Sequence, residues 1–245
     1  MRFFFLASPP DREQGSWSPP AALRRHLRAL RLGPEESFLL LPPQGDGWKA
    51  RLREDGDLEL EGIGQRPSLS LLPVTLATAW PKGGRADELV RRATESGATR
   101  IIPLRTARSV AGRQAFGDGK TERWTRIMEE VASQCRRPEL PTLESEPWSL
   151  AELREWWSRP SPGPRLAATL TPGTPPLQLR LEVSRPREVL LAIGPEGGFE
   201  ATEEAELAAA GFLACGLTPT ILRIEAAGPL AVGLCQHHGL ARGSH

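Results

Sequence analysis

The sequence contains only three cysteines, Cys135, Cys215 and Cys235, which are widely spaced and include no Cys-x-x-Cys pair. An odd number of isolated cysteines argues against a disulfide framework and a structural zinc site, and it is typical of a protein kept in a reducing compartment. Long apolar runs are missing too. The opening MRFFFLAS is too short for a signal peptide, and no stretch approaches the length of a membrane-spanning helix. The sequence therefore predicts a cytoplasmic protein without a metal site.

An excess of charge of one sign is also missing, because 31 basic residues balance 30 acidic ones and leave a net charge of +1. Any contact with nucleic acid must therefore come from a local patch rather than from a global field. Only three of the basic residues are lysines, and the others are arginines, whose planar fork suits bidentate recognition of phosphates and bases. A compositional bias of the source would give the same excess of arginine.

Over its first 70 residues the chain has short apolar segments separated by Gly, Pro and Asp turns. The segments ESFLLLP, WKARLRE, LELEGIG and SLSLL predict a small antiparallel barrel. One helix is predicted over residues 21–32 by two adjacent stripes at helical spacing. Its arginine stripe is typical of a solvated face and is also compatible with RNA binding. The two stripes consist of Leu23, Leu27 and Leu30, and of Arg24, Arg28 and Arg31.

From residue 73 to residue 245 the pattern changes to strands that alternate with helices. Strands are predicted at VTLATAW, ATRIIPL, RLAATL, EVLLAI and FLACGL. Helices are predicted over residues 86–97 and 121–135 and through the final PLAVGLCQHHGL. This alternation predicts an α/β fold with a mostly parallel sheet.

A turn with three glycines follows one of these strands, in the sequence VLLAIGPEGGFEATEEAEL. Such glycines let a backbone approach a ligand at the carboxyl end of a strand, and a tight strand-to-helix connection would use them as well. The next helix is predicted to begin at a Thr202 cap, with carboxylates in or near its first turn that would repel a phosphate. The pattern favours a positively charged ligand without a phosphate, such as S-adenosylmethionine. The carboxylates belong to Glu203, Glu204 and Glu206.

A second segment of the same form, LTPTILRIEAAGPLAV, covers residues 217–232. It runs from a strand end through an irregular loop into a helix, with Arg223 and Glu225 on either side of Ile224. A local ion pair or a helix cap would explain these two residues as well as a functional site would.

Five blocks in order along the chain resemble those of a known family. They are MRFF with RHLRALRL, KGGRADELVRRATESGA, IIPLRTARS, ASQCRRPELP, and IGPEGGF with LRIE. The chain resembles the 16S ribosomal RNA (uridine-N3) methyltransferase family, within the SPOUT superfamily of knotted methyltransferases. It departs from that pattern at Ile224, Ala226 and Arg136, where Thr, Thr and Gly are usual, and at Pro229, which interrupts a usually continuous helix.

The resemblance implies a PUA-like RNA-binding β-barrel domain over residues 1–70 and a SPOUT-type α/β methyltransferase domain with a C-terminal trefoil knot over residues 73–245. It also implies a homodimer that uses S-adenosylmethionine to methylate N3 of a uridine in 16S ribosomal RNA, either free or in the assembled small subunit. Three loops would hold the cofactor. Their predicted binding residues are Leu170, Thr171, Ile193, Gly194, Pro195, Glu196, Gly197, Gly198, Leu217, Thr218, Ile221, Leu222, Arg223, Ile224 and Ala227.

Two residues are candidates for the chemistry. Arg223 is predicted to stabilise negative charge on uracil or to hold a phosphate, and Glu225 to act as a base or as a clamp on Arg223. Glu196 is interpreted as structural, accepting backbone N–H bonds within its loop. A ribose 2′-O-methyltransferase of the same superfamily and a non-catalytic RNA-binding protein are the alternatives. The predicted contacts to RNA phosphates are Arg24, Arg28, Arg85, Arg108 and Arg137.

Overall fold

The computed structural model describes residues 2–11, 15–33, 36–42, 45–109, 116, 119–157, 163–169, 171 and 173–243. The chain divides into two compact units: unit 1 comprises residues 1–69 and 129–139, and unit 2 comprises residues 70–128 and 140–245. In the described part, no helix is both long and apolar enough to cross a bilayer. The elements are β1 (Arg2–Phe5), β2 (Gly15–Trp17), α1 (Ala21–Ala29), β3 (Ser37–Leu41), β4 (Trp48–Leu52), β5 (Leu58–Gly62), β6 (Val74–Ala79), α2 (Gly84–Glu95), β7 (Arg100–Leu104), α3 (Lys120–Gln134), β8 (Thr142–Leu143), α4 (Leu150–Trp157), β9 (Arg165–Ala168), α5 (Leu177–Ser184), β10 (Val189–Ile193), α6 (Ala201–Ala209), β11 (Phe212–Cys215) and α7 (Ile224–Gly243).

The described strands of unit 1 form a five-stranded mixed sheet in the order β1-β3-β4-β5-β2. β1 pairs parallel with β3, and the remaining pairs are antiparallel. Leu23 and Leu27 of the leucine stripe pack against the sheet: Leu27 is 1% exposed and belongs to one core cluster with Phe4 and Phe38, whereas Leu30, at the C-cap, is 39% exposed. The rings of Phe4 and Phe38 meet edge to face, with their centroids 5.1 Å apart. This packing leaves the arginine stripe of α1 on the outer side of the helix.

Unit 1 differs from the predicted antiparallel barrel in two respects. β1 and β3 run parallel, because β2 and α1 lie between them in the chain and supply the long crossover that a parallel pair needs. The predicted strand SLSLL does not form. Instead, the side-chain amide of Gln236 bonds to the N–H of Leu72 at 3.0 Å and to its carbonyl at 2.7 Å. Gln236 thus provides the bonds that a neighbouring strand would provide.

A second chain segment, residues 129–139, completes unit 1. Arg66 ties it to the sheet by donating to the carbonyl of Pro138 at 2.7 Å and to that of Pro42 at 2.8 Å. Burial lowers the pKa of the Arg66 guanidinium. No local sequence pattern predicts this contact, because its partners are backbone carbonyls distant in the chain.

Arg136 ends α3 in a left-handed conformation, with φ of +58°. The N–H of the next residue, Arg137, reaches back to the carbonyl of Ala132 at 2.8 Å, which is the closure of a Schellman motif. Glycine is preferred at this position because a Cβ is strained at positive φ. The departure from the family's glycine therefore has a cost in the folded state.

Replacing Arg136 with glycine is expected to raise the free energy of unfolding by about 0.5–1 kcal/mol. The left-handed strain of about 1–2 kcal/mol is relieved, and this exceeds the entropy of about 0.4–1 kcal/mol that glycine adds to the unfolded chain. Urea denaturation measures the change. Arg136→Ala is the control, since it removes the same side chain but keeps the Cβ. Equal stabilisation by both variants would contradict the backbone explanation.

The described strands of unit 2 form a six-stranded sheet in the order β11-β9-β10-β6-β7-β8, and every pair is parallel. The predicted α/β fold is confirmed. In the central pair, Val189 lies opposite Val74 and Ile193 opposite Thr78. Both central strands, β6 and β10, are buried along their whole length because helices cover both faces of the sheet.

Alternate residues of these strands supply two cores. Leu76, Ile101 and Leu191 belong to the core that also contains residues of α2, α3, α5 and α7. Ala77 and Ile102 belong to the other core, with residues of α4 and α6. The loops after the carboxyl ends of the strands therefore lie at one edge of a sheet covered on both faces.

The last helix, α7, is continuous from Ile224 to Gly243, so the interruption predicted at Pro229 does not occur. Because proline has no N–H, it deprives the Glu225 carbonyl of its usual intrahelical donor without ending the helix. Gly228, just before it, lets α7 approach β6 closely: a Cβ there would lie 3.0 Å from a methyl carbon of Leu76.

Candidate functional site

The adjacent strands β11, β9 and β10 end at the same edge of the sheet. The loops that follow them enclose a pocket of about 470 Å³, including space open to solvent. The pocket lies where open α/β sheets bind ligands. The residues that line it are Ala168, Thr169, Ile193, Gly194, Pro195, Glu196, Gly198, Leu217, Thr218, Thr220, Leu222 and Ala227.

The loop after β10 is the glycine turn. Gly198 has φ of +72°, and its N–H closes the turn onto the carbonyl of Pro195 at 2.8 Å. Gly194 requires glycine for a different reason: a Cβ there would lie 3.1 Å from the backbone nitrogen of Phe199 and 3.2 Å from the carbonyl carbon of Gly198. Backbone atoms cannot swing aside as a flexible side chain can. The turn therefore presents bare backbone at the pocket wall.

The N-terminus of α6 is capped by Glu200 and not by Thr202, so that prediction is wrong by two residues. The N–H of Glu200 donates to Glu203 Oε2 at 2.9 Å, while the N–H of Ala107 donates to Glu203 Oε1 at 2.7 Å. The Glu203 carboxylate thus accepts hydrogen bonds both from the N-cap residue of α6 and from the loop after β7. Glu204, next to it, accepts a hydrogen bond from a threonine hydroxyl at 2.8 Å. This group of carboxylates disfavours a phosphate at the helix end.

Arg223 and Glu225 lie at the start of α7 and form no ion pair with each other in the described part of the chain. The carbonyl of Arg223 accepts the N–H groups of Ala226 and Ala227 at 2.9 and 2.8 Å, and its side chain is exposed. Glu225 is 8% exposed, and its Oε2 makes no hydrogen bond to any described residue. The clamp predicted between these two side chains is therefore not formed, which leaves both of them for other roles.

Most of the residues predicted to bind a cofactor line this pocket. They are Ile193, Gly194, Pro195, Glu196, Gly198, Leu217, Thr218, Leu222 and Ala227. The others predicted do not line it: Thr171, Gly197, Ile221, Arg223 and Ile224. Leu170 lies outside the described residues.

Two of these exceptions have a clear physical reason. Ile224 is 4% exposed and packs in the core, whereas Ile221 is 67% exposed on the outer side of its loop. The sequence reasoning missed Ala168, Thr169 and Thr220, which line the pocket. These small residues belong to no recognisable sequence motif. Only the parallel register of β9 and β10 could have indicated Ala168 and Thr169.

Three of the arginines predicted to contact RNA phosphates belong to unit 1. Arg28 is exposed on α1, and Arg24 makes a 3.4 Å ion pair with Asp57. Arg137 is 3% exposed, and burial lowers the pKa of its guanidinium. The prediction for Arg137 is corrected, because a side chain enclosed by protein cannot reach a phosphate at the surface.

The other two arginines contact the glycine turn. Arg85 Nη1 donates to Glu196 Oε1 at 2.8 Å, so Glu196 accepts from a side chain rather than from the backbone donors predicted for it. Arg108 Nη1 donates to the carbonyl of Gly197, and its Nε lies 3.7 Å from a carboxylate oxygen of Glu200. The first turn of α2, through Arg85, and the loop after β7, through Arg108, thus both hold the glycine turn.

The two buried cysteines, Cys215 and Cys235, do not supply a nucleophile. Burial raises the pKa of Cys215 and of Cys235 to about 12, which keeps both thiols protonated. All three cysteines are outside disulfides. In the described ranges, no group of His, Cys, Asp or Glu side chains is arranged to hold a metal ion.

The pocket fits an adenosine-containing ligand that is cationic and has no phosphate. Bare backbone at Gly194 allows close approach, and Ile193, Leu217 and Leu222 supply apolar surface for a flat base. The carboxylates of the turn and of the α6 N-terminus favour positive charge. S-adenosylmethionine has each of these properties.

The chain matches a known family of RNA methyltransferases. Residues 68–236 match the family model of the RNA methyltransferase domain. The chain is 35% identical over 216 residues to the ribosomal RNA small subunit methyltransferase E of Synechocystis sp., covering 86% of this chain and 69% of that relative. The protein of the same name from Mycobacterium bovis is 31% identical over 165 residues, which cover 66% of this chain and 62% of the relative. The chain belongs to the ribosomal RNA small subunit methyltransferase E family.

A solved structure agrees with this assignment. The ribosomal RNA small subunit methyltransferase E of Neisseria gonorrhoeae, crystallised with bound S-adenosylmethionine, superposes with a TM-score of 0.77 at 25% identity. The match covers 97% of each chain, so it includes both units of the fold.

Proposed function

We propose that this protein transfers a methyl group from S-adenosylmethionine to N3 of a uridine in 16S ribosomal RNA. The observation that carries the proposal is the pocket at the ends of β9, β10 and β11, with its glycine backbone and neighbouring carboxylates. The names of the relatives and the cofactor of the Neisseria gonorrhoeae structure support the same chemistry. A ribosomal RNA substrate sets the reaction in the cytoplasm.

S-adenosylmethionine, when bound, supplies an electrophilic methyl group on a sulfonium. The chain has to align the uracil and stabilise the negative charge that N3 and its flanking carbonyls carry once the N3 proton leaves. Arg223 suits the second task, because it follows pocket-lining Leu222 in the chain and its side chain is exposed. In the described residues nothing neutralises its charge by an ion pair.

Glu225 has a different role in this proposal. Its carboxylate is buried and makes no hydrogen bond through Oε2 to any described residue, a condition that costs free energy unless a ligand supplies a donor. A carboxylate is a weak base for the N3 proton. We therefore assign Glu225 the task of accepting a hydrogen bond from the bound substrate, with proton removal left to solvent. The uridine has to be unpaired or extruded to reach these residues.

Unit 1 is proposed as a PUA-like RNA-binding domain. Its mixed sheet carries α1 on one face, and the outer side of that helix presents exposed Arg25 and Arg28. Contacts between such side chains and phosphates release counterions, so RNA binding should weaken as salt increases.

A trefoil knot is proposed for the C-terminal part of unit 2. β11 is an edge strand, yet α7, the next element, packs against β6 and β10 in the middle of the sheet. The connecting residues 217–222 return along the same edge as the glycine turn, and both segments line one pocket. A chain that returns in this way past an earlier loop supports the knotted arrangement.

A homodimer is proposed through α2 and α7. Pro229, Leu230, Gly233 and Leu234 line a shallow depression beside α2, and Leu230 is 38% exposed. Val232, on the same helix, is fully buried in the core of unit 2 and does not belong to this surface. Arg92, Glu95 and Ser96 also line the depression, and apolar residues bordered by polar ones are typical of a surface that a partner covers.

The protein is expected to sediment at twice its chain mass of 26.8 kDa at micromolar concentration. Leu230→Asp should shift it to the monomer, because a carboxylate would be desolvated in the interface. Leu240→Asp is the control, since Leu240 is 67% exposed and does not line the depression. A monomeric wild type would contradict the proposal.

The reaction itself is tested with labelled S-adenosylmethionine and small ribosomal subunits, or their extracted RNA, from a strain that lacks the modification. After digestion to nucleosides, the label is expected in 3-methyluridine. Label in a 2′-O-methyl nucleoside would show the ribose reaction instead. Binding of cofactor and RNA without transfer would show a non-catalytic RNA-binding protein.

A further inference from the structure

Glu196, the acidic residue of the glycine turn, faces both the pocket and an arginine of α2. It lines the pocket, and its Oε1 also accepts the hydrogen bond from Arg85 Nη1 at 2.8 Å. The side chains of Glu196 and Arg85 are 37% and 44% exposed. Solvent and ligands can therefore reach this ion pair, and its free energy is small for that reason.

The backbone of the turn does not depend on this ion pair. Arg108 donates to the carbonyl of Gly197 and lies near Glu200, and Gly198 closes the turn onto Pro195. These contacts remain when Arg85 moves away. The ion pair with Arg85 therefore determines only whether the charge of Glu196 is neutralised by the guanidinium or can act on a ligand in the pocket.

The charge of Glu196 matters because the cofactor loses its sulfonium charge in the reaction. S-adenosylmethionine is a sulfonium cation, and S-adenosylhomocysteine, the product, has a neutral thioether in its place. An uncompensated carboxylate in the pocket wall favours the first over the second. A carboxylate paired with Arg85 distinguishes them less.

RNA can change the state of this ion pair. Arg85 lies in the first turn of α2, where the positive end of the helix dipole favours an anion. Its guanidinium binds phosphate in a bidentate way, with charge-assisted hydrogen bonds stronger than neutral ones. A backbone phosphate beside the pocket therefore competes with Glu196 for Arg85.

We propose that Arg85 controls the charge of Glu196: an RNA phosphate draws Arg85 away, and the freed carboxylate then favours S-adenosylmethionine over S-adenosylhomocysteine. RNA binding thereby raises the affinity for S-adenosylmethionine relative to the affinity for S-adenosylhomocysteine. The inference rests on the proposed function, because it requires the cofactor in this pocket and RNA beside it.

The experiment measures, by calorimetry, the Kd of S-adenosylmethionine and of S-adenosylhomocysteine for the full chain, with and without a fragment of 16S ribosomal RNA. The quantity compared is the ratio of the two values. The variants are Arg85→Gln and Glu196→Gln. Arg126→Gln is the charge-matched control, because Arg126 is exposed and pairs only loosely, at 3.9 Å, with Glu122 of its own helix.

In the absence of RNA, Arg85→Gln is expected to raise the preference for S-adenosylmethionine about three- to tenfold over the wild type. RNA should raise the preference of the wild type by a similar factor and leave that of Arg85→Gln unchanged. Glu196→Gln should have a low preference that RNA does not alter. The Arg126→Gln control should behave as the wild type does.

Two results would overturn the inference. If Arg85→Gln weakened the binding of both ligands equally, Arg85 would serve only to brace the turn. If the wild type bound RNA and cofactor without any change in preference, the coupling would not exist. Failure of the wild type to bind S-adenosylmethionine or RNA at all would instead refute the proposed function, and the inference with it.

Discussion

Replacing Arg223 with alanine is expected to lower single-turnover methylation about 10²–10³-fold, the loss that follows removal of one preorganised donor from a site of developing charge. The affinity for S-adenosylmethionine should stay the same. Arg223 does not line the pocket, and it caps α7 through its backbone carbonyl, which alanine retains. The loss should therefore appear in the chemical step and not in cofactor binding.

Lysine at position 223 should restore little activity. The guanidinium can donate to two oxygens at once, whereas an ammonium is a point charge without that fork. The N3 anion shares its charge with two flanking carbonyls, so the bidentate group suits it better.

The measurement combines rapid-quench methylation with calorimetry of cofactor binding. Arg126→Ala is the matched control, because it removes an equally charged, exposed side chain from another helix of unit 2. If Arg223→Ala lowered stability and cofactor affinity together, the residue would only brace its loop. Near-normal methylation by Arg223→Ala would falsify the assignment.

Gly194→Val is expected to reduce the affinity for S-adenosylmethionine by at least about tenfold to a hundredfold, the effect of about 1–3 kcal/mol of overpacking. A Cβ at this position meets backbone atoms of Gly198 and Phe199 at 3.2 and 3.1 Å. Because these atoms belong to the turn itself, the turn has to shift, and the pocket wall shifts with it. Calorimetry with S-adenosylmethionine gives the affinity directly.

Gly197→Ala is the control for this experiment. The first atom that its Cβ would meet is a side-chain carbon of Arg108 at 3.5 Å, an ordinary contact, and the residue does not line the pocket. It should bind the cofactor as the wild type does. Equal losses in both variants would mean that the turn tolerates no side chain anywhere, and the specific role of Gly194 would be wrong.

The α/β fold of unit 2 could be predicted from sequence because its signals are local. Strands such as VLLAI are apolar without interruption, as expected where both faces are covered, and α2 and α3 begin and end within two residues of their predicted bounds. Unit 1 was harder to predict. The parallel pairing of β1 with β3 and the contribution of residues 129–139 depend on contacts between segments far apart in the chain, which composition and periodicity do not record.

The functional site likewise combines local features that could be predicted from sequence with long-range contacts that could not. The glycine turn and the loop before α7 could be found because glycines and carboxylates after a buried strand limit what can bind there. The partners of their side chains could not be found. Glu196 pairs with Arg85 and Glu203 holds Ala107, across separations of 111 and 96 residues. For Arg137 the sequence predicted a contact at the surface, but the residue is buried. A buried arginine in a basic segment cannot be distinguished by sequence from an exposed one.

The bonds of Gln236 have a consequence for synthesis. This residue of the last helix holds the backbone of Leu72 and Gly97, across separations of 164 and 139 residues. The strand after Leu72, β6, pairs on one side with β10, which also comes late in the chain. A nascent chain that has emerged as far as β7 thus carries a central strand that is buried along its whole length in the folded protein, with neither β10 nor α7 to cover it. Such long-range topology folds slowly and exposes aggregation-prone surface. Unit 2 therefore reaches its native structure only after α7 has been synthesised, and chains cut short before α7 are expected to depend on chaperones or to be degraded.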